Sequence, residues 1–301
     1  MKLNWRNYSF LMVVVSGYFL LTKPIDEVLL GMLLFLGVIL AVPTYFGSRK
    51  GGPTPKTSLP GDAVQRSGVA ANQNRSPAKQ ALLRAIAEKR AEDPLIGAKL
   101  GAREIVQWLL VAMKSEKGVH IESLLAVLGA LAGYSCQASV REQARLGGSS
   151  QESLVVANGT DGKKYFFGDA LNKPLAEDQH SIWGLAADAA QKNGCEQLPD
   201  LGAIFKHTAE SVGGVAFRIP RIPANHKPGD LPINYLTALW PKVRPTLEEF
   251  CAQPSEWPVL LGLSIQDAIL KAKGVIDPRL ALEIVMEYAV PMSKVDLSPD
   301  K

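Results

Sequence analysis

The chain has 301 residues, and its 33 basic side chains exceed its 29 acidic ones by four. Its three cysteines, Cys136, Cys195 and Cys251, stand more than fifty residues apart. This spacing excludes a CxxC pair and a disulfide framework, and so sparse a set is typical of a protein in a reducing compartment.

Two apolar segments near the amino terminus, residues 8–22 and 28–46, determine where the rest of the chain lies. The second has nineteen residues without a charge, and at about 1.5 Å per residue it matches a hydrocarbon core of about 30 Å. The first has fifteen residues and spans a bilayer only if Trp5 and Tyr8 lie in the headgroup layer. A proline and two acidic residues between them favour a turn. We therefore predict a transmembrane helical hairpin over residues 1–47.

Basic residues mark one side of this hairpin. Lys2 and Arg6 precede the first span and Arg49 and Lys50 follow the second, whereas only Lys23 lies in the short loop. The predicted location is therefore the inner (plasma) membrane, multi-pass, with both termini in the cytoplasm. Two alternatives stay open: a single span with an uncertain first segment, and a cleaved signal peptide, although no small-x-small cleavage site follows the first segment.

Residues 48–77 are rich in Gly, Pro and Ser and are predicted to form a flexible basic linker. Residues 49–84 contain seven basic side chains and one acidic one. Contact with anionic lipid headgroups explains this surplus without a nucleic-acid partner, and a solvated basic linker is the alternative. The basic residues expected nearest the bilayer are Arg49, Lys50 and Lys56.

Residues 78–296 are predicted to form one cytoplasmic α+β domain, mainly helical with a small antiparallel sheet, and residues 297–301 a tail. Its third helix has an almost unbroken apolar stretch, but this stretch is too short and too rich in small residues for a further span, which favours a central core helix. Trp108 and Val111 are predicted to broaden the buried stripe of the second helix. The first three helices are expected at residues 76–92, 102–114 and 121–146.

A β-hairpin is predicted from residues 154–157 and 164–168, because Val, Tyr and Phe flank a glycine-containing loop there. Residues 215–219 alternate in polarity and are predicted to add a third strand. Pro241 and Pro245 are expected to separate two short helices. The later helices are predicted at residues 181–192, 201–212, 234–240, 246–251, 264–274 and 277–291.

A proline-rich segment, residues 220–232, is predicted to be an extended, stiff loop. Long ordered loops often carry function, although a simple surface crossover explains the same sequence. Two tryptophans near this loop suggest a groove for a protein partner. The residues proposed for this binding groove are Trp240, Trp257, Pro223 and His226.

Motifs for metals, cofactors and nucleotides are missing from the sequence. None of the four histidines lies in HExxH or HxH spacing, so no metal site is predicted. Neither GxxxxGK[ST] nor GxGxxG is present, so no cofactor is predicted. The aromatic residues lack the basic frame of a nucleic-acid platform, so no nucleic-acid partner is predicted.

A cysteine nucleophile is the sharpest catalytic hypothesis. Cys136 would act with a distant histidine, either His180 or His207, if its pKa were lowered. However, Cys136 lies past the middle of its predicted helix, far from the N-terminal amides that stabilise a thiolate, which favours a buried inert thiol. Acidic residues beside His180 suggest a general base, but helix capping explains the same composition.

No motif ties the chain to a known family. We predict a membrane-anchored cytoplasmic interaction or assembly module that binds a protein partner and the lipid bilayer, and the sequence gives no firm indication of an enzyme. Two alternatives follow from the same features. One is a membrane-associated, cysteine-dependent hydrolase or transferase, and the other is a subunit of a membrane transport or secretion machine.

Overall fold

The computed structural model describes residues 76–147 and 154–297. The two predicted spans, residues 8–22 and 28–46, and the linker as far as residue 75 lie outside the described residues. So do the three basic residues assigned to lipid contact, Arg49, Lys50 and Lys56. The core described below lies in the compact unit that begins at Ile86.

The first helices begin at or before their predicted positions. Helix α1 spans Pro77–Lys89, and its start is as predicted because Ser76 Oγ accepts a hydrogen bond from the Lys79 backbone N–H at 3.3 Å. Helix α2 spans Ile96–Ala112 and begins six residues earlier than expected. Its buried stripe is narrower than predicted, since Trp108 is 37% and Val111 76% exposed.

Helix α3, Ile121–Arg145, runs through the centre of the fold. All of its residues from 123 to 137 are buried, so its predicted position in the core is confirmed. Among the described residues it is the one helix long and apolar enough to cross a membrane, and 89% of its most apolar window is buried inside the protein. Such burial is typical of the core helix of a domain rather than of a lipid-facing span.

The predicted hairpin is confirmed as an antiparallel pair of strands, β1 (Val155–Asn158) and β2 (Lys164–Phe167). The predicted third strand is wrong, because Val215–Arg218 is a 3-10 helix. Phe217 is its buried residue, and its ring lies edge-on to Tyr165 with centroids 5.1 Å apart. The alternating polarity of this segment arises because Phe217 points inward while Val215 and Ala216 are exposed, and not because the segment is a strand. The position beside β2 is taken instead by Val295, which forms an antiparallel bridge with Tyr165.

The middle helices begin within one residue of their predicted starts. A short helix, α4 (Asp169–Asn172), continues into a π-helical turn at Lys173–Glu177. In α5 (Ile182–Lys192), Ser181 Oγ accepts from the Gly184 N–H at 3.1 Å. In α6 (Leu201–Ser211), Asp200 Oδ1 accepts from the Ala203 N–H at 2.9 Å. The two predicted helix starts are therefore confirmed, and each has a side-chain cap.

Helix α7 spans Pro232–Phe250 without a break, so the prediction of two short helices at 234–240 and 246–251 is wrong. Pro241 and Pro245 both lie on its exposed face, where water can satisfy the carbonyl groups that they leave without a donor. The opposite face is buried, and this burial holds the helix together across the prolines. Its buried residues after Pro232 are Leu236, Trp240, Val243, Leu247 and Phe250.

The last two helices differ from the predicted ranges. Helix α8 spans Glu256–Lys271 and begins eight residues before the predicted start, so Ser264 is a buried mid-helix residue whose hydroxyl donates to the Leu260 carbonyl oxygen at 3.0 Å. Helix α9 spans Pro278–Met292 and begins at the predicted Asp277 cap. The chain directly after it, residues 293–295, is buried and packs with the domain. The described residues therefore form an α+β fold, mostly helical with one small sheet.

Candidate functional site

The thiol named as a possible nucleophile lies in the core. Cys136 is 0% exposed on α3, and its Sγ donates to the Ala132 carbonyl oxygen at 3.6 Å. Desolvation raises the pKa of this thiol far above its usual range, because burial disfavours the thiolate. The structure therefore favours the inert-thiol interpretation over the nucleophile.

The other two thiols share this environment. Cys195 and Cys251 are 7% and 9% exposed. Desolvation is the largest cause that raises the pKa of both thiols. The negative charge of Glu256 raises the pKa of Cys251 further, to about 12. A thiolate at neutral pH is therefore disfavoured at all three positions.

We expect the three native thiols to react with a maleimide at pH 7.5 about a hundredfold more slowly than the same thiols in guanidinium chloride, because labelling requires the core to open. The measurement is the labelling rate of the full-length protein followed by mass spectrometry. A Lys273→Cys variant supplies an exposed reference thiol in the same fold. Fast labelling of Cys136 in the native protein would instead support the hypothesis of a cysteine-dependent enzyme.

The two histidines proposed as catalytic partners of Cys136 lie at other places in the fold. His180 is exposed just before α5, in an open cleft of about 360 Å³ whose lining includes Asp178 and Ser255 but not Cys136. His207 is half-buried on α6. Ser181, the residue after His180, caps α5, so helix capping accounts for that polar residue.

The tryptophans proposed for a groove are part of the core. Trp240 and Trp257 are 7% and 3% exposed, and their ring centroids lie 6.3 Å apart. Trp240 also packs edge-on against Tyr134 in the second half of α3, at 4.7 Å. The Arg244 guanidinium lies over the Trp257 ring at 5.8 Å. These rings fill space between α3, α7 and α8 and leave little indole surface for a partner.

Pro223 and His226 lie in the proline-rich loop, away from the tryptophans. Pro223 is exposed, and His226 Nδ1 contacts Glu122 Oε1 at 3.0 Å at the start of α3. Tyr134, which contacts Trp240, lies about 18 Å further along the same helix at 1.5 Å per residue. The structure therefore separates the four residues into a core cluster and a surface loop.

The proline-rich loop is attached to the core at several points. Glu287 of α9 is 4% exposed and accepts from the Arg221 backbone N–H and guanidinium, each at 3.0 Å. The next residue of α9, Tyr288, donates from its hydroxyl to the Asp230 carbonyl oxygen at 2.8 Å. Both ends of the loop, at Arg221 and Asp230, are therefore attached to α9.

A polar cluster at the start of α3 fixes the middle of the loop. Glu122 lies between His226 and His120, whose Nε2 is 3.3 Å from its carboxylate. Desolvation acts to raise the pKa of Glu122, but the hydrogen bond with His226, its backbone hydrogen bond and the charges of both histidines together lower it. Ser123 Oγ contacts His120 Nδ1 at 2.8 Å and accepts from the Gly229 N–H at 2.9 Å.

This cluster has the residue types of a hydrolytic serine site. Its hydrogen bonds, however, attach the proline-rich loop to the start of α3. Ser123 is 7% exposed, and its oxygen already accepts the Gly229 N–H of the loop. A serine nucleophile needs open space on the far side of its hydroxyl, which this contact occupies. Within residues 76–147 and 154–297, no group of three or more His, Cys, Asp or Glu side chains is arranged to hold a metal ion.

Sequence reasoning missed Lys294, which follows α9. This lysine is 3% exposed, and its ammonium lies 5.4 Å from the Phe167 ring centroid and 5.7 Å from that of Phe205. Desolvation lowers its pKa to about 8, against a smaller opposing effect of Cys136. In the sequence, Lys294 follows Pro291 in a polar stretch that resembles a tail, so no local signal marked it as buried.

Comparisons with family models, curated proteins and solved structures found no match for this chain. Its function is therefore argued from the geometry alone.

Proposed function

We propose that this chain is a membrane-anchored cytoplasmic interaction and assembly module whose proline-rich loop binds a protein partner. The anchor is the hairpin predicted for residues 1–47, multi-pass in the inner membrane with both termini cytoplasmic, and the basic linker contacts anionic headgroups. Support for the anchor comes from the length and flanking charges of the two apolar segments. Support for the binding role comes from the loop.

The observation that carries the proposal is that the loop is fixed while apolar side chains at its ends face solvent. Ile219 is 53% and Leu231 42% exposed. They flank Arg221 and Asp230, the two points that adjacent residues of α9 hold. A preordered surface loses little conformational entropy when it binds, so its apolar contacts yield more affinity.

The residues in and just before the loop supply the side-chain types of a recognition surface. Val215, which precedes the loop in the 3-10 helix, is 87% exposed and adds apolar area. Pro223 and Lys227 are exposed along the loop and supply rigid and charged contacts. Apolar residues surrounded by polar ones are typical of protein interaction sites, in which a few buried anchors dominate the affinity.

We expect the double variant Ile219→Asp/Leu231→Asp to lower the recovery of co-purifying partners at least about tenfold, because two charges would be buried in the interface. The measurement is quantitative mass spectrometry after affinity purification of the full-length protein from membranes in a mild non-ionic detergent. A Val275→Asp variant is the matched control, since Val275 is 70% exposed after α8, outside the loop.

Unchanged recovery with the double variant would contradict the role of the loop, and equal loss with Val275→Asp would show a nonspecific effect of added charge. The anchor is checked in the same preparation. The full-length, uncleaved chain should stay with the membrane fraction, and its recovery in the soluble fraction would contradict membrane anchoring.

A further inference from the structure

A pocket of about 310 Å³ lies where β2, α4, α6 and the segment after α9 meet. Phe167 and Phe205 form apolar walls, and the Lys294 ammonium lies near both rings. Asn172 and Thr208 add neutral polar groups to the lining. The pocket therefore has two aromatic walls and one buried positive charge.

The charge of this pocket is not balanced by the described part of the protein. The pocket lining contains two lysines and no acidic residue. Lys206 is 75% exposed at the rim and is 3.9 Å from Glu210, so it is weakly paired. Among residues 76–147 and 154–297, no carboxylate lies within salt-bridge distance of Lys294, and its neighbours are the two phenyl rings. An anion would therefore find favourable charge here.

An unpaired buried ammonium lowers the stability of the fold. The ordinary lysine pKa of 10.5 falls to about 8 in the folded protein, so the unfolded chain holds the proton more tightly. The free energy of unfolding is thus reduced below pH 8 and increases as the pH rises from about 8 to 10.5. Cation–π contacts offset only part of such a desolvation cost. Groups whose burial costs stability are concentrated at functional sites.

Hydrogen bonds fix the backbone on both sides of Lys294. The Gln137 side-chain amide of α3 donates to the carbonyl oxygens of Ser293 and Val295, on either side of the lysine. The Phe166 N–H donates to the Lys294 carbonyl oxygen at 2.9 Å. A ligand would meet a lysine whose backbone is already fixed and whose ammonium lies against two phenyl rings, which lowers the entropy cost of binding.

We propose that this pocket binds a small organic carboxylate with a flat apolar body, such as an aryl acid. The ammonium of Lys294 pairs with the carboxylate, and the rings of Phe167 and Phe205 contact the apolar body. The volume lies at the lower end of that of small-molecule sites, which limits the ligand to a small molecule. A phosphate dianion fits less well, since it usually needs several donors or an arginine fork.

The test uses benzoate as the probe and isothermal titration calorimetry on the full-length protein in non-ionic detergent. At pH 7 we expect benzoate to bind at least about tenfold more tightly than benzamide, its neutral analogue, and than inorganic phosphate. Equal affinity for benzoate and benzamide would overturn the proposal, and tighter binding of phosphate would overturn the organic carboxylate. This comparison uses the native protein and does not depend on any variant folding.

Variants locate the site. Lys294→Met should weaken benzoate binding at least about tenfold and raise the melting temperature, because a costly buried charge is removed. Lys206→Met, at the rim, should weaken binding two- to threefold, a range typical of exposed charges. Lys242→Met, an exposed lysine on α7, should leave it unchanged. Retained benzoate affinity in folded Lys294→Met would overturn the assignment of the lysine.

The pH dependence gives an independent readout. Benzoate affinity should fall between pH 8 and 10 as the Lys294 amine loses its proton, and a constant affinity over this range would contradict the ion pair. The charged and titratable groups around Lys294 are Cys136 of α3, Lys206 of α6 and Asp296 in its own segment. Asp296 pairs with Arg141 at 3.0 Å. These outcomes are independent of the partner-recovery test of the proline-rich loop.

Discussion

Replacing Gly133 by alanine is expected to destabilise the protein by about 3 kcal/mol or more, at the upper end of the cost of overpacking a core. Helices α3 and α9 approach so closely that a Cβ at Gly129 would lie 2.5 Å from the Val285 carbonyl oxygen. At Gly133 it would lie closer still to the carbonyl oxygen of Ala289. Two backbones would have to separate, because neither atom belongs to a flexible side chain.

The measurement is thermal unfolding followed by circular dichroism, with a predicted fall in melting temperature of about 6–12 °C for a unit of this size. Gly202→Ala is the control. Gly202 is exposed in α6, and a Cβ there meets only the side-chain oxygen of Asp200, at 3.3 Å. The control should stay within about 0.5 kcal/mol of the wild type. Equal stability of the Gly133→Ala variant would refute the direct contact of α3 with α9.

Arg221→Met is expected to cost about 2–3 kcal/mol and to release the start of the proline-rich loop. The change leaves the carboxylate of Glu287, 4% exposed, without its cationic partner, and breaking a buried ion pair from one side is costly. The expected loss of stability is smaller than for a fully buried ion pair, because the Arg221 side chain is 43% exposed. Chemical denaturation by urea measures the change.

A second variant separates the unpaired charge from other effects. Adding Glu287→Gln to Arg221→Met removes the charge but keeps an acceptor for the residue 221 backbone N–H, so about half of the lost stability should return. Arg218→Met is the control, because its pair with Asp161 is 3.9 Å long and partly exposed and should be worth less than about 0.5 kcal/mol. A double variant less stable than Arg221→Met would contradict this account.

Local signals in the sequence placed several elements well. Capping residues such as Ser181, Asp200 and Asp277 marked helix starts that the structure confirms, since a side-chain acceptor for a free N–H acts within three residues. The hairpin was marked by β-branched and aromatic residues around glycines. The core role of α3 followed from its apolar run of small residues.

The errors arose where long-range contacts override local preference. Two prolines argued for a break in α7, but burial of its opposite face keeps the helix continuous. Alternation at Val215–Arg218 argued for a strand, but that position in the sheet is taken by Val295 from the far end of the chain. Trp240 and Trp257 argued for a groove, but both rings are buried against each other, and Tyr134 of α3 and Arg244 of α7 pack on them.

By itself, the sequence determined the mainly helical α+β class, the helix caps, the hairpin and the core position of α3, because these depend on residues close together in the chain. It also gave the predicted membrane anchor, which lies outside the described residues. Only the tertiary structure decided that Cys136 is sealed in the core, that Arg221 and Glu287 hold the loop, and that Lys294 meets two phenyl rings. Each of these features depends on residues that are distant in the chain. Helix packing brings such residues into contact, and no local sequence pattern marks them.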